Sequence, residues 1–233
     1  MSNKEKPFIG NAIEGESYVG KSTALEKIKE LRDLGVIVVP EYAVVGKFID
    51  FPRETVTDVR KAVARIIEIE KKRTEILNNA LAKTKDSIVL FDRGPISCIA
   101  FEHAAQKAGF RGAALWMAEA FQKEVADKEI IVPIGMIHLT ASREVIEQRN
   151  KANLSMGRGE IMEFLRDIEV IKTINTAFQS FGKHLPEQMF LTLQTDNKGP
   201  EEVSANILQF VTAQTAEVEH DIPNFISYAK SLI

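Results

Sequence analysis

The sequence predicts an α/β fold built round a parallel sheet, and three observations carry that expectation. Five short apolar runs alternate with longer stretches of helical periodicity from one end of the chain to the other. The 233 residues are 45% hydrophobic and 27% charged, the balance of a compact folded domain. No internal repeat, low-complexity tract or Pro- or Ser-rich linker divides them, so one domain is expected over 1–214, followed by a tail over 215–233.

The first strand is expected over 8–13 and the first helix over 21–34, where Gly35 supplies a left-handed C-cap without a Cβ clash. Residues 36–39 form the second strand. A long helix over 58–83 follows, because Val59, Val63, Ile66, Ile67, Leu77, Ala80 and Leu81 recur by threes and fours along one stripe. The third strand, 88–91, leads to two shorter helices over 97–108 and 112–126. The fourth, 135–139, leads to a helix beginning near Ser142. Another long helix carries Ile161, Phe164, Leu165, Ile168, Ile171, Ile174 and Phe178 until Gly182 stops it. After the fifth strand, 189–193, Pro200 opens a last helix whose first turn holds Glu201 and Glu202, acidic side chains that complement the helix dipole. The tail, with Pro223 in its middle, reads as an appendage of undisclosed purpose.

Thirty Lys and Arg against 33 Asp and Glu give a net charge of -3, spread too evenly for a nucleic-acid polymer as partner. The single Cys98 forms no intrachain disulfide, and His103, His138, His184 and His220 show no metal-ligand spacing. The longest apolar runs fall far short of the ~20 residues a bilayer span needs. The opening MSNKEKPFIG is too polar for a signal peptide, so the expectation is cytoplasmic, with no membrane partner.

Between the first strand and first helix stands G-E-S-Y-V-G-K-S, residues 15–22, with the spacing G-x-x-x-x-G-K-[ST]. In such a loop Gly15 and Gly20 let the backbone curl over Glu16, Ser17, Tyr18 and Val19, so that amide groups form an anion nest at the positive end of a helix. Lys21 then reaches the outer phosphates as a point charge, Ser22 offers a hydroxyl to Mg²⁺, and Thr23 extends the motif into the helix. Asp92 ends the third apolar run, and ligands of open parallel sheets bind beyond the carboxyl ends of the strands. That position suits a magnesium-orienting carboxylate, and Arg93 beside it suits a two-pronged contact to phosphate. A strand-end pair that merely caps the next helix is the other reading.

Taken together, IEGESYVGKST at 13–23, VVPEY at 38–42, VLFDRGPIS at 89–97 and TDNKGPEEVSANILQFV at 195–211 resemble the P-loop deoxynucleoside kinase and thymidylate kinase superfamily. The resemblance implies a three-layer fold, a five-stranded parallel sheet flanked by helices with a mobile lid over about 150–160. It implies ATP and Mg²⁺ as cofactors and a small-molecule nucleoside or nucleotide acceptor. A homodimer through the long helices is one arrangement it allows. Glu41 matches the carboxylate that serves as base toward a sugar 5′-hydroxyl, although Tyr42 stands where that family has Pro. Asp92 and Arg93 match its acidic-Arg pair, and Arg73 loosely matches a helical arginine that contacts the acceptor. Arg149 and Arg158 match the lid arginines, a sparser set than usual. Arg143 and Arg149 read equally well as solvated helix charges.

A nucleoside hydroxyl must lose a proton as it attacks, and a placed carboxylate contributes roughly 10²- to 10⁴-fold. A monophosphate, with a second pKa of about 6, needs charge-balancing arginines more than a base. Glu41 therefore leans mildly toward a hydroxyl acceptor, with a thymidylate-type monophosphate kinase as the alternative; a carboxylate in that place also suits Mg²⁺, a sugar hydroxyl or a purely structural role at the approach to a helix. A nucleotide-binding switch or ATPase acting on a protein partner is a third class, though Asn197-Lys198-Gly199-Pro200 lacks the Asp of guanine-specific switches. Cys98 and the lone Trp116 read as packing, and Tyr42 as the better candidate for stacking on a base.

Overall fold

The computed structural model describes residues 10–31, 35–46, 54–84, 87–155, 167–214 and 224–232. Its five strands are β1 (Gly10–Glu14), β2 (Val36–Val39), β3 (Ile88–Asp92), β4 (Gly135–Thr140) and β5 (Phe190–Gln194), hydrogen-bonded in the order β2-β3-β1-β4-β5. Every pairing is parallel. A parallel sheet needs a crossover between neighbours and is covered on both faces, which is why its strands read as apolar runs.

Alternation along the strands sorts side chains to two layers. Ile13, Leu90, Ile137, Leu139 and Leu193 meet α1 (Lys21–Glu30) and α8 (Pro200–Thr212) on one face. The opposite face is covered by α3 (Val56–Leu81), α4 (Pro95–Lys107), α5 (Ala114–Ala126) and α7 (Ile168–Gly182), and the last of these packs along α4. A short helix, α2 (Tyr42–Gly46), follows β2, and α6 (Arg143–Ser155) follows β4. Thr55 and Asp58 form a reciprocal capping box that starts α3, each side chain satisfying the other's backbone N–H.

All five strands fall where the apolar runs put them, to within two residues. The tail contributes more than an appendage would: α9 (Phe225–Leu232) inserts Phe225, Tyr228 and Ala229 into the largest core cluster, and the Tyr228 hydroxyl donates to the Ala177 carbonyl at 2.8 Å. Gly182 ends α7 as its last helical residue, and a Cβ there would lie 2.3 Å from the Phe190 ring. Close packing on β5, and no left-handed cap, is what that glycine serves. Gly35 does take φ +58°, but α1 ends earlier, at Glu30. Residues 150–155 of the expected lid continue α6, a helix with no buried residue, and 156–160 lie outside the described residues together with Arg158. Trp116 is 39% exposed on α5, with the Arg60 guanidinium 5.3 Å from its ring, so it is no core residue. Among the described residues no helix is long and apolar enough to cross a membrane.

Candidate active site

The chain turns from β3 on one side of β1 to β4 on the other, so the crevice beyond the carboxyl end of β1 is the switch point of the sheet. The loop over 15–22 fills it. Gly15 has φ +137° and a Cβ there would sit 2.3 Å from the Leu139 carbonyl oxygen, so only glycine lets the chain leave β1 against β4. Tyr18 and Gly20 also take positive φ, +65° and +100°, which curls the loop back onto α1. Val19 is fully buried and anchors it from below, while Ser17 is half-buried and Ser22 and Thr23 are exposed on the first turn of α1.

Lys21 folds into this curl, its Nζ donating to the carbonyls of Gly15 at 3.0 Å and Glu16 at 2.6 Å. Burial pushes its pKa down to about 7, helped by the charge of Arg93 and opposed by Asp92, Glu41 and Glu14. An ammonium stripped of water and surrounded by loop backbone is short of an anion.

Arg93, just past β3, adopts φ +63° and is buried. Its guanidinium donates from Nε to Glu41 Oε1 at 2.6 Å and from Nη1 to the Gly15 carbonyl at 3.0 Å. Lys21 and Arg93 thus converge on one carbonyl oxygen. Burial alone would raise Glu41, but the Arg93 charge and hydrogen bond, with Lys21 and Arg73 behind them, carry it below the usual carboxylate range. Asp92 goes the other way, raised by burial and by Glu41. Its Oδ1 is buried and has no hydrogen-bond partner among the described residues. Arg149 reaches the loop from α6, with Nη1 donating to the Tyr18 carbonyl at 3.1 Å and to Thr195 Oγ1 at 3.0 Å, and Nη2 to the Thr195 carbonyl at 2.9 Å.

The structure therefore gathers Lys21, Glu41, Asp92, Arg93 and Arg149 round one loop. Arg73 and Tyr42 face elsewhere. Arg73 is 0% exposed and spends its donors on Glu70 Oε2 (2.6 Å) and on the carbonyls of Pro40 (2.9 Å), Asp92 (3.2 Å) and Arg93 (2.5 Å). It braces the backbone under the site. Tyr42 lies buried beneath it, the guanidinium 4.1 Å from its ring centre, so no base can stack on that face. Cys98 is packed against the core, and burial, then Glu70, pushes its thiol far up.

Four residues of this neighbourhood were not expected. Glu14, at the end of β1, is fully buried; its carboxylate accepts from the Gly94 N–H at 2.7 Å and from the Ser97 hydroxyl. Burial raises it to about 7 against the pull of Arg93, Ser97, Gly94 and Lys21. The rule that singled out Asp92, a carboxylate closing an apolar strand, applies to Glu14 as well. Thr195, past β5, clamps the Val19 carbonyl at 2.8 Å. His138 and Asn175, from β4 and α7, are joined at 3.2 Å, and no spacing in the sequence connects them.

No family model matches the chain, and no curated protein matches it in sequence. The structure of thymidylate kinase from Candida albicans matches with a TM-score of 0.54 over 91% of this chain and 95% of that one, at 14% identity. The fold is that of a P-loop kinase. The likeness is one of architecture, the five-stranded all-parallel sheet flanked by helices.

Proposed function

We propose that the chain is an ATP-dependent phosphotransferase that moves the γ-phosphate to a nucleoside 5′-hydroxyl. One observation carries the reading: Lys21, the phosphate-side cation, and Arg93, which grips the acceptor-side Glu41, meet on the Gly15 carbonyl, so both halves of a transfer site share one anchor. Lys21 binds the outer phosphates of ATP and regains a fully charged ammonium as they replace the loop carbonyls. Arg149 balances charge from the α6 side. Glu41, held ionised by Arg93, accepts the proton of the acceptor hydroxyl as its oxygen bonds to the γ-phosphorus and the bridging oxygen departs with ADP. The low pKa of Glu41 weakens it as a base but fixes its orientation and keeps it ready at neutral pH.

The residues present fit Mg²⁺: the orphaned Asp92 Oδ1 and the exposed Ser22 hydroxyl are hard oxygen donors, and magnesium asks for only one or two protein ligands beside phosphate and water. When bound it would neutralise charge on the phosphates. Arg73 acts in this reading as a positioning residue under Asp92 and Arg93.

Glu41→Gln is expected to lower turnover of a nucleoside at least about tenfold, by loss of the base. A wild-type rate in that variant would favour the second reading, a monophosphate acceptor, for which the thymidylate kinase likeness is the supporting observation. The deciding experiment measures ADP release with a panel of nucleosides and monophosphates. Stimulation by one acceptor supports a kinase; turnover indifferent to every acceptor points to a nucleotide-hydrolysing switch and overturns the proposal.

A further inference from the structure

The phosphate-binding loop carries its own acid. Glu16 stands second in a loop proposed to hold a triphosphate, and its backbone carbonyl is already a partner of Lys21. A carboxylate free to swing over the loop would occupy the charge environment meant for phosphate. The structure ties it to one side: Asn175 Nδ2 of α7 donates to Glu16 Oε1 at 3.1 Å. The amide is itself oriented. With Nδ2 committed to Glu16, Asn175 Oδ1 faces His138 Nε2 at 3.2 Å, so that nitrogen carries the proton. His138 is 0% exposed, its ring lies 5.3 Å from that of Phe178, and its Nδ1 has no partner among the described residues. A neutral ring with its hydrogen on Nε2 is the form this arrangement uses, and burial lowers the pKa of His138 accordingly. The result is a one-way chain of donors, from imidazole to amide to carboxylate, running from β4 through α7 to the loop.

We propose that Asn175, fixed by His138, is a positioning residue that holds the Glu16 carboxylate away from the phosphates and so sets the affinity of the loop for a nucleoside triphosphate. The inference rests on the phosphate-loop reading of residues 15–22 but on no particular acceptor. Its logic is electrostatic: the loop binds anions because its cations and amides outweigh one acidic side chain that a neutral donor keeps turned aside.

The test is a charge swap read by calorimetry with magnesium-ATP. Asn175→Asp keeps the volume and still accepts from His138, but sets a second carboxylate against Glu16. It is expected to weaken binding on the order of tenfold. Glu16→Gln alone is expected to bind more tightly than wild type. Combined with Asn175→Asp it recreates an amide donating to a carboxylate with the partners exchanged, and is expected to recover most of the lost affinity. If Asn175→Asp does not fold, Asn175→Ala frees Glu16 without adding charge and is expected to weaken binding less, again with recovery by Glu16→Gln. A purely structural role would lower the melting temperature and show no such recovery. Wild-type affinity in Asn175→Asp, or equal weakening in both Glu16 backgrounds, overturns the proposal while leaving the phosphate-loop reading intact. Absence of magnesium-ATP binding by the wild-type chain overturns that reading and this one with it.

Discussion

Replacing Lys21 by alanine is expected to cut phosphoryl transfer by about 10²- to 10³-fold or more, the cost of removing one preorganised charge from a developing anion, while the protein stays folded. The second half of that expectation comes from the unliganded structure. Lys21 is 7% exposed and spends its ammonium on two carbonyls, one of which, that of Gly15, keeps Arg93 as a donor when the lysine is gone. Burial has driven its pKa from the ordinary 10.5 to about 7, so the folded chain binds this proton more weakly than the unfolded one does. At and below pH 7 the wild type carries the whole penalty, and the penalty fades as pH rises from 7 toward 10.5. Alanine removes it. The variant should therefore match or exceed the wild type in denaturant midpoint at pH 6, and that advantage should be smaller at pH 9. Transfer rates and urea midpoints on one preparation check both halves. Near-wild-type turnover would defeat the assignment of the loop lysine, and an unfolded variant would show that the ammonium is structural.

How far the site could be read from sequence depends on which side of each element the residue occupies. The inner strands β1, β3 and β4 were legible because burial on both faces leaves little room for polar alternation. Lys21 was legible from the G-x-x-x-x-G-K-[ST] spacing, Asp92 and Arg93 from their place at a strand end, and Glu41 only from the family resemblance. Arg73 shows the limit. The apolar stripe of α3 is interrupted between Ile67 and Leu77, and the gap is filled on the same face by Glu70, Arg73 and Thr74, all buried. An arginine four residues before a core leucine and three after a glutamate points to the core, paired with its neighbour, and the spacing held that signal. Tyr42 goes inward with it. Asn175 and His138 are different: they lie 37 residues apart on a helix and a strand, and only the docking of α7 against β4 brings them together.

Glu14→Gln is expected to remove a pH dependence that the wild type carries in its fold. The carboxylate is fully buried under the start of α4, one oxygen beneath the Gly94 N–H and the other facing the Ser97 hydroxyl. Burial raises its pKa from 4.5 to about 7 in spite of Arg93 close by. Between those values the folded state holds a proton that the unfolded state has released, so stability falls as pH rises from 4.5 through 7 and the loss is complete above it. At roughly 1.4 kcal/mol per unit the loss is on the order of 3 kcal/mol, a large part of a domain's stability. Glutamine reproduces the protonated acid, with one oxygen to accept from Gly94 and a donor toward Ser97, and cannot ionise. Urea midpoints at pH 4, below the unfolded-state value, should be alike for the two proteins, and at pH 8 the variant should be the more stable. Parallel curves across that range would mean that Glu14 ionises in the folded chain at an ordinary carboxylate pKa, with Arg93 supplying the full compensation for its burial. In that case Arg93 would be committed to Glu14 as well as to Glu41, and the hold on Glu41 would weaken whenever Glu14 was charged. The stability curve therefore also reports how freely Arg93 can hold Glu41.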